Sequence, residues 1–176
     1  MTPARRVVIG VGNPDAGDDG AGRLVARLLR DRDRRAPLPG LAVREGTGEA
    51  TALMEAWAGF DDVVVVDACL GAGEPGSVHR FEAHELERLT SLRPRQHGST
   101  HGFGVATAID LARALGTLPG RLVVHAIEGR RFLTGEPLSA EVERAAHELA
   151  ALLVQGGPPS QVELRSCDGP RQTFSS

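Results

Sequence analysis

Three short apolar runs, rich in β-branched residues, constrain the fold of this chain more than any other feature. They cover residues 7–11, 63–66 and 122–124, and none of them alternates between apolar and polar side chains. Strands that are buried on both faces have this pattern. A further strand is predicted at residues 41–44, and residues 76–81 could add a strand at an edge of the sheet.

Helical periodicity fills the stretches between these runs. Apolar residues recur there at the 3.6-residue period of an amphipathic helix. The four helical sets are Ala21, Leu24, Val25, Leu28 and Leu29; Leu53, Ala56 and Trp57; Val105, Ala108, Ile109 and Ala112; and Val142, Ala145, Ala146 and Leu149, with Ser139 as the N-cap of the last. Strands that alternate with helices predict right-handed crossovers. We therefore expect an α/β fold, a three-layer α/β/α sandwich around a mostly parallel, twisted sheet of about five strands.

Length and composition are those of one ordinary domain. The chain has 176 residues, and we assign residues 1–155 to a single α/β domain. Residues 156–176 are rich in Gly, Pro and Ser, so this tail is expected to be flexible and removable. The formal net charge is -3, and the positive charge is arginine spread along the chain. This balance indicates neither a nucleic-acid nor a membrane partner, and with no long apolar run it predicts a cytoplasmic protein.

The two cysteines, Cys69 and Cys167, are far apart in the sequence. They lack the paired C-x-x-C spacing of zinc knuckles and do not suggest a disulfide framework. They are therefore interpreted as two unrelated reduced thiols.

The loop between the first strand and the first helix, residues 10–22, invites comparison with nucleotide-binding loops. A dinucleotide fingerprint requires G-x-G-x-x-G, but Asp15 occupies the position of the third glycine. The glycine spacing of a P-loop is present, yet Asp18 and Asp19 stand where lysine and a hydroxyl residue would meet phosphate and magnesium. A Rossmann-like module that binds a nucleotide or another small molecule is therefore kept as an alternative.

Two aspartates in this chain are candidate ligands for a cation. Carboxylates are favoured at a helix N-terminus by the helix dipole, and one acid, Asp18, is expected to be the N-cap. Asp19 is then left over. Asp67 follows the apolar run 63–66, at the carboxyl end of a central strand, where ligand crevices of open α/β sheets form.

His101 is the third candidate. It lies among glycines just before a helix that is predicted to start near Val105, and imidazole is a common metal ligand. A cysteine hydrolase that uses Cys69 with His101 is a further alternative. It is disfavoured because the neighbouring Asp67 opposes formation of a thiolate.

Several segments resemble one family when they are taken together. Residues 10–22, 65–68 and 101–104, in this order, are similar to the maturation endopeptidases of nickel-iron hydrogenases. Residues 126–142 resemble the penultimate strand and last helix of that family. The resemblance covers residues 6–154.

This resemblance implies a peptidase, often classed as aspartic-type, that removes a C-terminal extension from the hydrogenase large-subunit precursor. It carries the metal-contacting and catalytic positions of the family onto Asp19, Asp67 and His101. The metal is nickel already held by the precursor, and no organic cofactor is implied. Two departures concern the fit of the substrate: Glu45 replaces a frequent glycine, and Gly129 replaces a frequent proline.

The three side chains of Asp19, Asp67 and His101 are expected to converge on one cleft at the carboxyl edge of the sheet. Replacing Asp67 by Ala is expected to remove processing. Because Asp67 is expected to be a surface acid of that cleft, the substitution should cost under ~0.5 kcal/mol of stability.

Overall fold

The computed structural model describes residues 5–83 and 101–155, without the side chains of residues 101–103. The strands are β1 (Arg6–Val11), β2 (Leu41–Gly46), β3 (Asp62–Cys69), β4 (Val78–Glu82) and β5 (Arg121–Glu128). They form one sheet in the order β2-β1-β3-β5-β4. The first four strands in this order are parallel, and β4 runs antiparallel to β5 at the edge.

Within the described residues, four α-helices cover the sheet on both faces. They are α1 (Ala21–Arg35), α2 (Ala50–Trp57), α3 (His101–Ala114) and α4 (Ala140–Val154), and a short 3-10 helix (Gly17–Gly20) leads into α1. Side chains of α2 and α3 pack with one face of β1, β3 and β5, and those of α1 and α4 pack with the other face. The predicted three-layer sandwich and its mostly parallel five-stranded sheet are confirmed.

Buried apolar side chains explain why the central strands lack alternation. Val63 and Val65 face α2 and α3, whereas Val64 and Val66 face α1 and α4. Both faces of β3 are thus covered by helices, which is the condition under which a strand is apolar on both sides. The expected edge strand at residues 76–81 is present as β4.

One helix boundary differs from the prediction. α3 begins at His101, four residues before the predicted start near Val105. Glycines at 102 and 104 lower intrinsic helix propensity, so the sequence pattern predicts a loop for this turn. In the fold, Gly104 lies against the backbone of Gly48, where an added Cβ would come within 1.8 Å of the Gly48 carbonyl oxygen. This close packing holds the first turn of α3.

None of the described helices is both long and apolar enough to cross a bilayer. The expected flexible tail, residues 156–176, lies outside the described residues, as does Cys167.

Candidate functional site

The strand order reverses next to β1, and this places a crevice at the carboxyl edge of the sheet. The chain leaves β1 for β2 on one side and later returns to β3 on the other side. Ligands of open α/β sheets bind outside the carboxyl ends of the strands at such a switch point. Both candidate aspartates belong to elements at this point: Asp19 to the 3-10 helix after β1, and Asp67 to β3.

A glycine brings the start of α1 onto the sheet at the switch point. An added Cβ at Gly22 would lie 2.2 Å from the carbonyl oxygen of Val66 and 2.4 Å from that of Val11. No other residue type fits such an approach. The 3-10 helix that carries Asp19 is therefore held beside the end of β3.

Asp19 is buried and fixed by the loop that precedes it. Asp19 is 4% exposed, and its Oδ2 accepts a hydrogen bond of 2.8 Å from the Asn13 N–H. The carboxylate is thus oriented by backbone before any ligand arrives.

Asp67 is also buried, and this corrects the expectation of a surface acid. The residue is 3% exposed, and its Oδ1 accepts a hydrogen bond of 2.8 Å from the Ala68 N–H. Burial raises the pKa of Asp67 to about 7; the Ala68 hydrogen bond acts in the opposite direction, and the negative charge of Asp19 adds to the rise. The sequence does not reveal this burial because a residue at a strand end is exposed only if nothing covers that end.

The position of His101 is described for its backbone alone. His101 is the first residue of α3, and the first turn of α3 lies against Gly48, in the loop after the carboxyl end of β2. This places the start of α3 at the same edge as both aspartates. The imidazole lies outside the described side chains, so the convergence of all three side chains stays a prediction.

Asp18 has a different role from the expected one. The sequence predicts that it caps its own helix, but its side chain makes no such capping bond. Instead, Oδ2 accepts hydrogen bonds from the N–H groups of Arg130 and Arg131, at 2.9 and 3.0 Å, and Oδ1 accepts one from Ser139 at 2.7 Å. Burial opposes ionisation, yet these backbone bonds hold the pKa of Asp18 below its usual value. Asp18 therefore anchors the β5–α4 loop.

The same loop explains the glycine at position 129. An added Cβ there would lie 2.6 Å from the Cβ of Asp18, and the Gly129 N–H donates a 2.8 Å hydrogen bond to the Cys69 carbonyl. A proline would lack this donor. The absence of a side chain at Gly129 thus allows the loop to pack closely against Asp18.

Ser139 is the N-cap residue of α4, as predicted, but its side chain makes no capping hydrogen bond.

The side chain of Glu45 forms ion pairs within the protein. It lies at the carboxyl end of β2 and forms ion pairs with three arginines of α1. These partners are Arg23 at 3.4 Å, Arg27 at 3.6 Å and Arg30. The departure at this position therefore ties β2 to α1.

A second polar group was not anticipated from the sequence. Cys69, His79 and Glu128 meet where β3, β4 and β5 come together, and one potential ligand atom from each lies within 4.8 Å of the other two. The only sequence signal is the presence of polar residues at the ends of buried strands. These three residues come together only because β3, β5 and β4 are neighbours in the sheet. Because the Cys69 thiol faces a carboxylate, its setting is unlike the electropositive one that activates catalytic cysteines.

Comparisons with known proteins agree with the fold. Residues 25–156 match the HycI family, described as hydrogenase maturation protease. No curated protein sequence matches this chain. Among solved structures, the NiFe hydrogenase maturation protease HybD from Thermococcus kodakarensis is 24% identical, with a TM-score of 0.69 over 88% of this chain and 99% of that one.

Two further structures show the same likeness. The hydrogenase maturating endopeptidase HybD from E. coli is 23% identical, with a TM-score of 0.66 over 87% of this chain and 94% of that one. The NiFe hydrogenase maturation protease HycI from Thermococcus kodakarensis KOD1 is 25% identical, with a TM-score of 0.63 over 86% and 91% of the two chains.

Proposed function

Because this chain belongs to the hydrogenase maturation protease family, we propose that it removes a C-terminal extension from the nickel-loaded large-subunit precursor of a nickel-iron hydrogenase. In this proposal, Asp19, Asp67 and His101 contact the nickel that the precursor carries. The nickel belongs to the substrate, and the protease requires no organic cofactor.

The buried pair of carboxylates at the switch point is the observation that carries the proposal. Asp67 lies in β3 and Asp19 beside it in the 3-10 helix, and the charge of Asp19 contributes to the raised pKa of Asp67. Two buried acids are costly unless a proton or a cation compensates their charge. A metal ion on the substrate would supply that compensation.

This electrostatic setting supports discrimination between loaded and empty precursors. With a pKa of about 7, Asp67 holds a proton in a large fraction of molecules at neutral pH. A divalent ion favours the carboxylate, so binding of a nickel-loaded precursor would be coupled to release of that proton. A nickel-free precursor offers no such gain and binds more weakly.

Two carboxylates and one imidazole suit a metal that brings other ligands with it. The set is too sparse for a closed structural cage, which needs four protein ligands. Nickel held by thiolates of the precursor would need no more than these additional contacts. Contact with the metal aligns the neighbouring peptide bond for attack by water. A carboxylate of the pair takes a proton from the water as its oxygen bonds to the carbonyl carbon, and then gives that proton to the amide nitrogen as the C–N bond breaks.

The proposal is tested with nickel-loaded and nickel-free precursor, each incubated with metal-depleted protease. Mass spectrometry of the large subunit should show loss of the C-terminal extension in the loaded precursor alone, even with protease in excess. Cleavage of nickel-free precursor, with or without added zinc, would show that the protease does not sense nickel.

A further inference from the structure

A buried glutamate gathers a thiol and an imidazole at the carboxyl ends of β3 and β5. Glu128 is 2% exposed, and Cys69 is its neighbour in the parallel register of these strands. The Cys69 thiol lies 3.3 Å from Glu128 Oε2, and His79 Nε2 lies 2.9 Å from the same oxygen. Three different donor types therefore lie within 4.8 Å of one another where β3, β4 and β5 meet.

The other oxygen of this carboxylate is held by backbone. Oε1 accepts a 3.1 Å hydrogen bond from the Gly73 N–H, in the loop between β3 and β4. An added Cβ at Gly73 would lie 3.2 Å from the Glu128 carboxyl carbon, and one at Gly71 would lie 2.7 Å from Oε1. The glycine loop thus fits closely against Oε1. Outer contacts of this kind orient metal-binding carboxylates, and here they direct Oε2 toward the thiol and the imidazole.

We propose that Cys69, His79 and Glu128 bind a divalent transition-metal ion of the zinc class. Thiolate, imidazole and carboxylate are the donors that zinc uses, and three protein ligands leave one tetrahedral position open. Zinc-ligand bond lengths place neighbouring donor atoms about 3.3 to 3.6 Å apart in a tetrahedral site. The thiol and the imidazole lie 3.3 and 2.9 Å from Glu128 Oε2, and all three ligand atoms lie within 4.8 Å of one another, so binding requires movements of side chains that bring these separations to the tetrahedral values.

The donor set selects the class of ion and predicts an effect on the fold. Magnesium and calcium prefer oxygen ligands, so a site with a thiol and an imidazole disfavours them. The ion displaces the thiol proton to solvent. Cys69 and His79 are partly exposed, which leaves a path for the ion. Because the ligands come from β3, β4 and β5, the bound ion would fasten the antiparallel edge strand to the centre of the sheet.

These ligands differ from the side chains proposed to contact the nickel of the precursor, so the test does not require cleavage. Metal-free protein is dialysed against zinc and, separately, against cobalt. We expect one zinc per chain, a thiolate-to-cobalt charge-transfer band, and a higher melting temperature with zinc. Magnesium should produce none of these changes.

Matched variants assign the site. Cys69→Ser and His79→Gln should each weaken zinc binding at least about tenfold, and Cys69→Ser should also lose the cobalt band. Cys167→Ser and His147→Gln, at a cysteine outside the described residues and at an exposed histidine of α4, should behave as the unmodified protein. Circular dichroism of the metal-free variants checks that each one folds.

Three results would overturn the site. Absence of zinc binding in the unmodified, folded protein would do so directly. Unchanged binding in Cys69→Ser would exclude the thiol as a ligand. Loss of binding in Asp67→Asn, with binding retained in Cys69→Ser and His79→Gln, would locate the ion at the aspartates. None of these results bears on whether nickel-loaded precursor is cleaved.

Discussion

Two neighbouring aspartates in the sequence, Asp18 and Asp19, have different surroundings in the fold. The Asp18 carboxylate accepts hydrogen bonds from three backbone N–H groups. These bonds stabilise its negative charge and hold the β5–α4 loop in place. Asp19 accepts a hydrogen bond from the Asn13 N–H, and its negative charge contributes to the raised pKa of Asp67. At the residue scale, the chemistry of a carboxylate depends on which groups surround it.

Asp67→Asn should stabilise the protein at neutral and alkaline pH. The folded pKa of Asp67, about 7, exceeds the ordinary value of 3.8, so the folded state keeps a proton that the unfolded state loses. Ionisation of Asp67 therefore lowers stability progressively as pH rises from about 4 to about 7. Asparagine removes this cost, which is at most about 4 kcal/mol.

Thermal unfolding of both proteins at pH 4 and pH 8 measures this difference. The variant should melt several degrees higher at pH 8 and close to the parent at pH 4. The same variant should lose processing if Asp67 contacts nickel. An equal gain at both pH values would show that packing, and not charge, is responsible.

At the scale of elements, the contact between α3 and the β2–α2 loop positions the start of α3. Gly104 has no space for a side chain because the Gly48 carbonyl occupies that point. His101 is three residues earlier, on the turn that this contact holds. The position of His101, the proposed nickel contact, thus depends on Gly104, which has no side chain and takes no part in the reaction.

Gly104→Ala should reduce processing without unfolding the core. The new Cβ would lie 1.8 Å from the Gly48 oxygen, so the first turn of α3 has to shift away. A displacement of about 1 Å at a reactive site costs on the order of 100-fold in rate. Gly120→Ala is the matched control, because its Cβ would meet an ordinary contact of 3.6 Å with the Asp61 oxygen. Cleavage kinetics with loaded precursor that are equal in both variants would contradict this role.

At the scale of the whole molecule, two buried groups with opposite effects shape the dependence of stability on pH. Burial lowers the pKa of His125 to about 4, and the charges of Arg80, Arg6 and Arg121 act in the same direction. The unfolded state therefore binds a proton at His125 that the folded state does not, and stability rises between pH 4 and about 6.5. Asp67 gives the opposite slope over nearly the same interval.

These slopes should largely cancel in the parent protein and separate in single variants. His125→Leu leaves the Asp67 contribution, so its stability should fall from pH 4 to pH 7. Asp67→Asn leaves the His125 contribution, so its stability should rise from pH 4 to pH 6.5. Denaturant titrations at several pH values measure both slopes. Parallel profiles in the two variants would contradict the assignment.

The sequence by itself determined the layers of the fold and the positions of the polar candidates along the chain. Apolar runs such as 63–66 specify buried parallel strands because both faces of these strands are covered, and periodicity specifies the helices between them. The alternation of strands and helices also placed Asp67 near the carboxyl edge of the sheet. Local patterns carry this information, since they depend on residues that are close in sequence.

Only the tertiary structure decided burial, partners and pKa values. It buried Asp67, bound Asp18 to a loop more than a hundred residues away, and placed Glu128 between Cys69 and His79. Each of these results depends on strand order and on close approach of backbones at glycines, which local periodicity does not encode. The free energy of a carboxylate depends on the groups packed around it, and in this fold most of those groups come from distant parts of the chain.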